Sequence, residues 1–271
     1  MNRNTRLSLL IFMLLVAAST AFAQKTAVKE YTIEQFMNTV RIGGSSFSSD
    51  EKSILFHNNK TGIFNVYSVP VSGGAATQLT NSTKESTFAV SYFPTDSRFL
   101  YSYDRGGNEN SHIYLRELDG SERDLTPGEK VKANFLGWSH DRKSFYYATN
   151  ERDARFFDIY EMPIDTFKAT LIYKNETGLD FSAISYDKNY IAFQKSGGSS
   201  ADSDIYLYNA ATKELKNITG HTGDVANNPE TFDVASKYLY YLTDAGSEFR
   251  YVRLTYAPRQ TQNSWCPEVS R

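Results

Sequence analysis

The chain has one cysteine in 271 residues, Cys266, so it can form no internal disulfide and must be held together by packing and hydrogen bonds. It has no excess of one charge: 29 Lys and Arg stand against 31 Asp and Glu, giving a net charge of −2. No basic stripe is present, which argues against nucleic acid or an anionic membrane surface as partner. It also lacks an apolar run of the roughly 20 residues that a membrane-spanning helix needs. The longest run, Leu7 to Ala18, follows Arg3 and Arg6 and precedes the small-x-small site Ala21-Phe22-Ala23, so residues 1–23 read as a secretory signal peptide cleaved after Ala23. The residue directly after that site is Gln24 and not a cysteine, which excludes lipid attachment there.

Catalytic motifs are missing as well. There is no H-E-x-x-H, no C-x-x-C and no G-x-S-x-G; Gly43-Gly44-Ser45-Ser46 and Gly197-Gly198-Ser199-Ser200 lack a closing Gly and read as turns. His57, His112, His140 and His221 are scattered through different segments, and His140 in W-S-H-D occupies a turn position. Asp202-x-Asp204 is a carboxylate pair without further ligands. The expectation is no catalytic residue, no cofactor and no metal.

What the chain has is a repeat. Ser91 to Thr126 holds four short apolar or aromatic runs divided by P-T-D-S, D-R-G-G-N-E-N and D-G, a pattern of strands joined by hairpins. Turn aspartates recur at Asp50, Asp96, Asp141 and Asp187, and third-strand tyrosines at Tyr67, Tyr114, Tyr160 and Tyr206, every 45 to 47 residues. Leu79-Thr80, Leu125-Thr126 and Ile218-Thr219 close three units, with Leu171-Ile172 in the remaining place. A fifth unit begins at Phe232. Four strands per unit at this period predict an all-β propeller of four-stranded antiparallel blades. Second strands such as Phe145-Tyr146-Tyr147 and Tyr238 to Tyr241 are apolar on both faces, as stacked blades require, and the 19 Tyr and 18 Phe are assigned to blade packing. Residues 24–40 form a lead-in, strand or short helix; residues 41–256 form the blades; residues 257–271 abandon the pattern as an irregular tail. Four blades and a partial fifth predict an incomplete ring whose apolar flanks self-associate.

In such a blade the loops between second and third strands share one face with the blade-to-blade connections. These loops span residues 57–63, 104–111, 150–156, 195–203 and 243–249 and are rich in charge. Arg105, Glu109, Arg152, Arg155, Glu248 and Arg250 are the candidate partner-facing rim, together with Glu151, Asp153 and Asp244.

Three of these stretches, D-R-G-G-N-E-N at 104–110, N-E-R-D-A-R-F-F-D-I-Y at 150–160 and T-D-A-G-S-E-F-R-Y at 243–251, with the lead-in Y-T-I-E-Q-F, resemble the propeller of secreted bacterial serine peptidases of the prolyl oligopeptidase family. The resemblance spans about Tyr31 to Leu254. It implies a propeller that admits peptides to an α/β-hydrolase domain carrying a Ser-Asp-His triad, and no position here matches that triad. The reading is therefore the substrate-gating portion of such a peptidase, exported to the periplasm or beyond and truncated before its catalytic domain. Its partner is a peptide or that hydrolase domain; no membrane span remains after signal cleavage. Two alternatives stand beside it: a TolB-like periplasmic propeller that binds proteins, and a five-bladed glycan hydrolase, which needs carboxylates facing the central channel.

Overall fold

The computed structural model describes residues 28–199, 201–246 and 248–256, so residues 1–23, read above as a signal peptide, and 257–271, read as an irregular tail, lie outside the described residues. The chain divides into two compact units, Met1–Val40 and Arg41–Arg271. In the first, the lead-in is helical: α1 spans Ile33–Met37, opened by a capping box in which Thr32 Oγ1 accepts the Gln35 N–H and Gln35 Oε1 accepts the Thr32 N–H.

The second unit is a series of five antiparallel sheets in chain order. Blade one holds β1 (Ile42–Phe47), β2 (Ser53–Asn58), β3 (Asn65–Pro70) and β4 (Thr77–Gln78). Blade two holds β5 (Phe88–Tyr92), β6 (Phe99–Tyr103), β7 (His112–Arg116) and β8 (Glu122–Asp124). Blade three holds β9 (Ala133–Trp138), β10 (Ser144–Asp153), β11 (Phe156–Pro163) and β12 (Thr170–Tyr173). Blade four holds β13 (Asp180–Ile184), β14 (Tyr190–Ser196), β15 (Ser203–Asn209) and β16 (Leu215–Asn217). Blade five holds β17 (Asn227–Phe232), β18 (Tyr238–Thr243) and β19 (Arg250–Thr255). It begins at Asn227 rather than Phe232: the polar stretch N-N-P-E-T carries no apolar alternation, yet it pairs with β18 across a bulge at Pro229.

The turn aspartates close the hairpins between first and second strands. Ser48 Oγ donates to Asp50 (2.7 Å) and accepts the Ser53 N–H (3.0 Å), while Asp50 accepts the Lys52 N–H (3.1 Å). Ser139 with Asp141 and Ser185 with Asp187 repeat the arrangement. The following residue turns left-handed, φ +57° at Glu51, +58° at Arg142 and +60° at Lys188. In blade five Ala235 replaces the aspartate, and one carboxylate, Asp233, takes both roles by accepting the Lys237 and Tyr238 N–H groups, each at 2.6 Å.

The closing threonines have an equally specific task. Each hydroxyl accepts a third-strand N–H: Thr80 from Val66 (2.8 Å), Thr126 from Ile113 (2.9 Å) and Thr219 from Ile205 (2.7 Å). The preceding Leu79, Leu125 and Ile218, with Ile172 in blade three, pack into the seam between their own blade and the next. Thr126→Val keeps the shape and orphans the Ile113 N–H, so it is expected to cost about 1–3 kcal/mol in urea unfolding.

Four hydrophobic clusters lie between successive blades and form the core. Leu55 and Val66 meet Tyr92, Phe99, Tyr101 and Tyr114 in the first seam, and Leu100, Ile113 and Leu115 meet Phe145 and Tyr147 in the second. Tyr146, Ala148 and Ile159 meet Ile191, Phe193 and Tyr208 in the third; Ala192, Ile205 and Leu207 meet Leu239, Tyr241, Val252 and Leu254 in the fourth. Among the described residues no such cluster joins blade five to blade one, in keeping with a partial propeller.

Candidate functional site

Hydrogen bonds place the second-to-third loops beside the inter-blade connections. The Thr87 N–H bonds to the Phe64 carbonyl, Ala133 to Ser111 and Ser203 to Val225, so the rim residues share one face. On it the residue two before each third-strand tyrosine ties that strand to the chain leaving the blade. Asn65 Oδ1 accepts from Thr80 and the Ser82 N–H; His112 reaches Asp124 (2.7 Å) and the Gly128 carbonyl (2.8 Å). Asp158 accepts the Asn175 N–H (2.8 Å), and Asp204 accepts from Asn217 and Thr219.

Blade three departs from the expected loop. The strand β10 runs on to Asp153 past a bulge after Thr149, so Glu151, Arg152 and Asp153 are strand residues and the turn is short. The reason is an internal ion pair. Arg152 grips the buried Asp158 with a fork, Nε to Oδ2 at 2.6 Å and Nη2 to Oδ1 at 2.7 Å, and Nη2 also reaches the Asn175 carbonyl at 2.8 Å. Arg152 thus stands on the rim with its guanidinium committed to the fold.

The other rim residues are outward. Arg105 is exposed, 3.9 Å from Asp124, and Glu109 is exposed in a left-handed turn whose N–H bonds to Asp104. Arg155 reaches Asp153 at 2.8 Å and lies 5.1 Å from the centre of the Phe156 ring; it holds the Asp153 carboxyl well below the ordinary carboxylate range. Glu248 and Arg250 are exposed and flank Phe249, an exposed aromatic that charge counting passed over. The face combines separated cations, carboxylates and an aromatic. These are groups that can hold the charged ends and side chains of a peptide or the polar surface of another domain.

Two histidines line this side with opposite electrostatics. His57 Nδ1 accepts the Ala89 N–H (3.1 Å) between the rings of Phe64 and Phe88, and burial pushes its pKa below the ordinary 6.5. Gly43 and Gly44 make room, since a Cβ at Gly43 would sit 2.6 Å from His57 Nε2. His221 bonds to the Thr219 carbonyl (3.0 Å), Asp202 (3.0 Å) and Asp204 (3.1 Å), and these, the carbonyl foremost, raise its pKa. The Asp202-x-Asp204 pair is thereby bridged by an imidazole, and among the described residues no cluster fit to hold a metal is found. His140 stays in its turn, stacked on Tyr186 at 3.5 Å.

The pH consequences differ in sign. His57 contributes stability that is complete above 6.5 and lost as pH falls, because the unfolded chain takes the proton first. His221 contributes stability present below 6.5 and lost as pH rises through its raised folded value. His57→Gln should therefore flatten the acid side of a stability profile and His221→Gln the neutral side, each read from urea midpoints between about pH 5 and 8.

Three comparisons bear on the fold and its relatives. Residues 80–260 match the family described as prolyl oligopeptidase, N-terminal beta-propeller domain. The chain is 30% identical over 132 residues to dipeptidyl aminopeptidase BIII of Pseudoxanthomonas mexicana, a match covering 48% of this chain and 19% of that protein. Among solved structures, oligopeptidase B from Leishmania major superposes with a TM-score of 0.53 at 14% identity, over 80% of this chain and 33% of that one. TolB from Acinetobacter baumannii does so with a TM-score of 0.50 at 17% identity, over 79% and 52%. The last two speak to the shared propeller fold alone.

Proposed function

Because this chain belongs to the prolyl oligopeptidase family through its N-terminal β-propeller domain, we propose that it serves as the substrate-gating portion of an exported serine peptidase, presenting its loop-rich face to peptides and to a hydrolase domain. The family match, which takes in four of the five second-to-third loops, carries this reading. The matched stretch is a small part of the dipeptidyl aminopeptidase it resembles, so activity and substrate come from that whole protein by analogy. Export rests on the N-terminal sequence pattern, and no helix among the described residues is long and apolar enough to cross a membrane.

Within this reading, the propeller supplies a charged opening and the chemistry belongs elsewhere. Peptide hydrolysis needs an activated nucleophile and an oxyanion hole, and this sequence carries no nucleophile elbow. The purified chain is expected to leave aminoacyl and prolyl chromogenic substrates intact and to take up no fluorophosphonate probe; labelling of any of its serines would overturn the assignment. Reading the coding DNA past codon 271 in all three frames supplies the complementary test. Further blades followed by G-x-S-x-G are expected, and a stop without either in every frame would favour a self-contained binding propeller of the TolB kind.

A further inference from the structure

The connection that carries the chain from blade four to blade five crosses the rim with one attachment between two fixed ends. Its near end is fixed where the Thr219 hydroxyl accepts the Ile205 N–H (2.7 Å). Its far end is fixed where the Val225 carbonyl accepts the Ser203 N–H (3.0 Å) and the Ala226 N–H reaches Asp244 (2.7 Å). Between them, among the described residues, the side chain of His221 makes the only hydrogen bonds of the stretch from Gly220 to Asp224. Gly220 and Gly223, the latter at φ +80°, give that stretch two points about which to turn.

The His221 ring meets acceptors on both sides. Nδ1 faces the Thr219 carbonyl (3.0 Å) and Asp204 Oδ1 (3.1 Å), and Nε2 faces Asp202 Oδ1 (3.0 Å). Carbonyl and carboxylate oxygens have no proton to give, and a neutral imidazole has one N–H for its two nitrogens. Only the imidazolium fills all three contacts. Nδ1 has two acceptors and keeps its proton, so on deprotonation the Asp202 contact is the one that fails. Asp204 does not depend on the ring, because Asn217 Nδ2 (2.8 Å) and the Thr219 hydroxyl (3.2 Å) also donate to it. Asp202 has no other side-chain hydrogen bond among the described residues, and it is wedged against Gly197, where a Cβ would collide with its carboxylate. The turn that carries Asp202 is closed by its own backbone, Gly197 N–H to the Asp202 carbonyl at 2.9 Å, so the connection is the part free to move. Asp202 and Asp204 are the charged groups that act on the ring; Lys195, the ladder partner of Asp204 on β14, has its Nζ 5.9 Å from the centre of the Tyr206 ring, and Asp224 is exposed on the connection itself.

We propose that His221 is a proton-operated latch on the rim: as an imidazolium it fastens the connection between blades four and five to Asp202, and on losing its proton it lets Gly220 to Asp224 swing away. Opening leaves Asp202 as an unpaired carboxylate on the partner-facing side. The inference stands whether or not the peptidase reading holds. The same contacts, the Thr219 carbonyl foremost, hold the ring above its ordinary 6.5, so the latch is closed below 6.5 and opens as pH rises through the raised value.

A nitroxide on Thr222→Cys in a Cys266→Ser chain reads the latch, beside imidazole NMR of His221 in the unlabelled chain. The label should be restricted at about pH 6 and mobile at about pH 9, with a midpoint that follows the His221 titration. A titration midpoint one pH unit above the ordinary 6.5 corresponds to about a tenfold change in the ratio of free to fastened segment. Asp202→Asn, whose amide can accept from an imidazolium and donate to a neutral ring, should stay restricted throughout, and His221→Ala should be mobile at both ends, with folding checked by circular dichroism. His221 titrating at or below 6.5, a label whose mobility ignores pH when His221 and Asp202 are both present, or a transition that survives in folded Asp202→Asn overturns the proposal.

Discussion

Replacing Arg152 by Met is expected to lower the urea midpoint of the blades, and by more than the same change at Arg155, because it leaves the Asp158 carboxylate buried without its cation. Asp158 is fully buried, and its carboxylate is satisfied by the Arg152 fork and the Asn175 N–H. Removing the guanidinium leaves the charge buried with one neutral donor. Asp158→Asn removes the charge itself and lets Arg152, which is 31% exposed, turn toward water, so it should cost less than Arg152→Met. A double-mutant cycle in urea, with coupling read from midpoints, checks both. Equal stability of Arg152→Met and wild type would mean that Arg152 braces the fold no more than its exposed neighbours Arg105 and Arg155 do. Arg155→Met serves as the control. Arg155 is exposed on the turn that follows β10, where solvent screens its pair with Asp153, so little change is expected.

That contrast marks how far the site can be read from residues alone. N-E-R-D-A-R-F-F-D shows two arginines three apart in a polar stretch, and nothing in composition separates the one that braces a buried aspartate from the one that faces solvent. The distinction arises from a bulge that extends β10 and aims Arg152 at β11, a tertiary event. The blade period was far more legible, because it is imposed by local chemistry. A turn aspartate capping its own hairpin and a threonine accepting a third-strand N–H each act within a few residues or one strand pair. Where that chemistry is rearranged, as in blade five with Asp233 doing the work of a Ser-x-Asp pair, the period hides while the structure persists. The placement of the lead-in as helix rather than strand likewise turned on one capping box, Thr32 with Gln35. Exposure at Tyr251 and Phe47 was not readable from residue type, since the apolar residues at the matching positions one blade away, Ile205 and Tyr92, are buried.

Phe193→Ala is expected to cost about 3–5 kcal/mol and to change the shape of unfolding as well as its midpoint. The ring is completely buried in the third seam, 4.4 Å from Tyr173 and 6.3 Å from Phe181, and packed with residues of blades three and four. Successive blades are joined through such seams, with no cluster among the described residues linking the last blade back to the first. A closed ring offers each blade two neighbours, so a damaged seam is bypassed through the other direction. In a linear series each seam is a sole coupling, and its energy decides whether the two sides unfold together. Losing the Phe193 ring should let blades four and five open ahead of blades one to three. Urea unfolding should then lose its single transition, with a lower apparent slope, because each step exposes less surface than the whole. Hydrogen exchange locates the break: amides of β14, β15 and β18 should lose protection first, while those of β6 and β7, two seams away, keep theirs. A single transition with protection lost evenly across all five blades would show that the blades are coupled by more than the seams between neighbours.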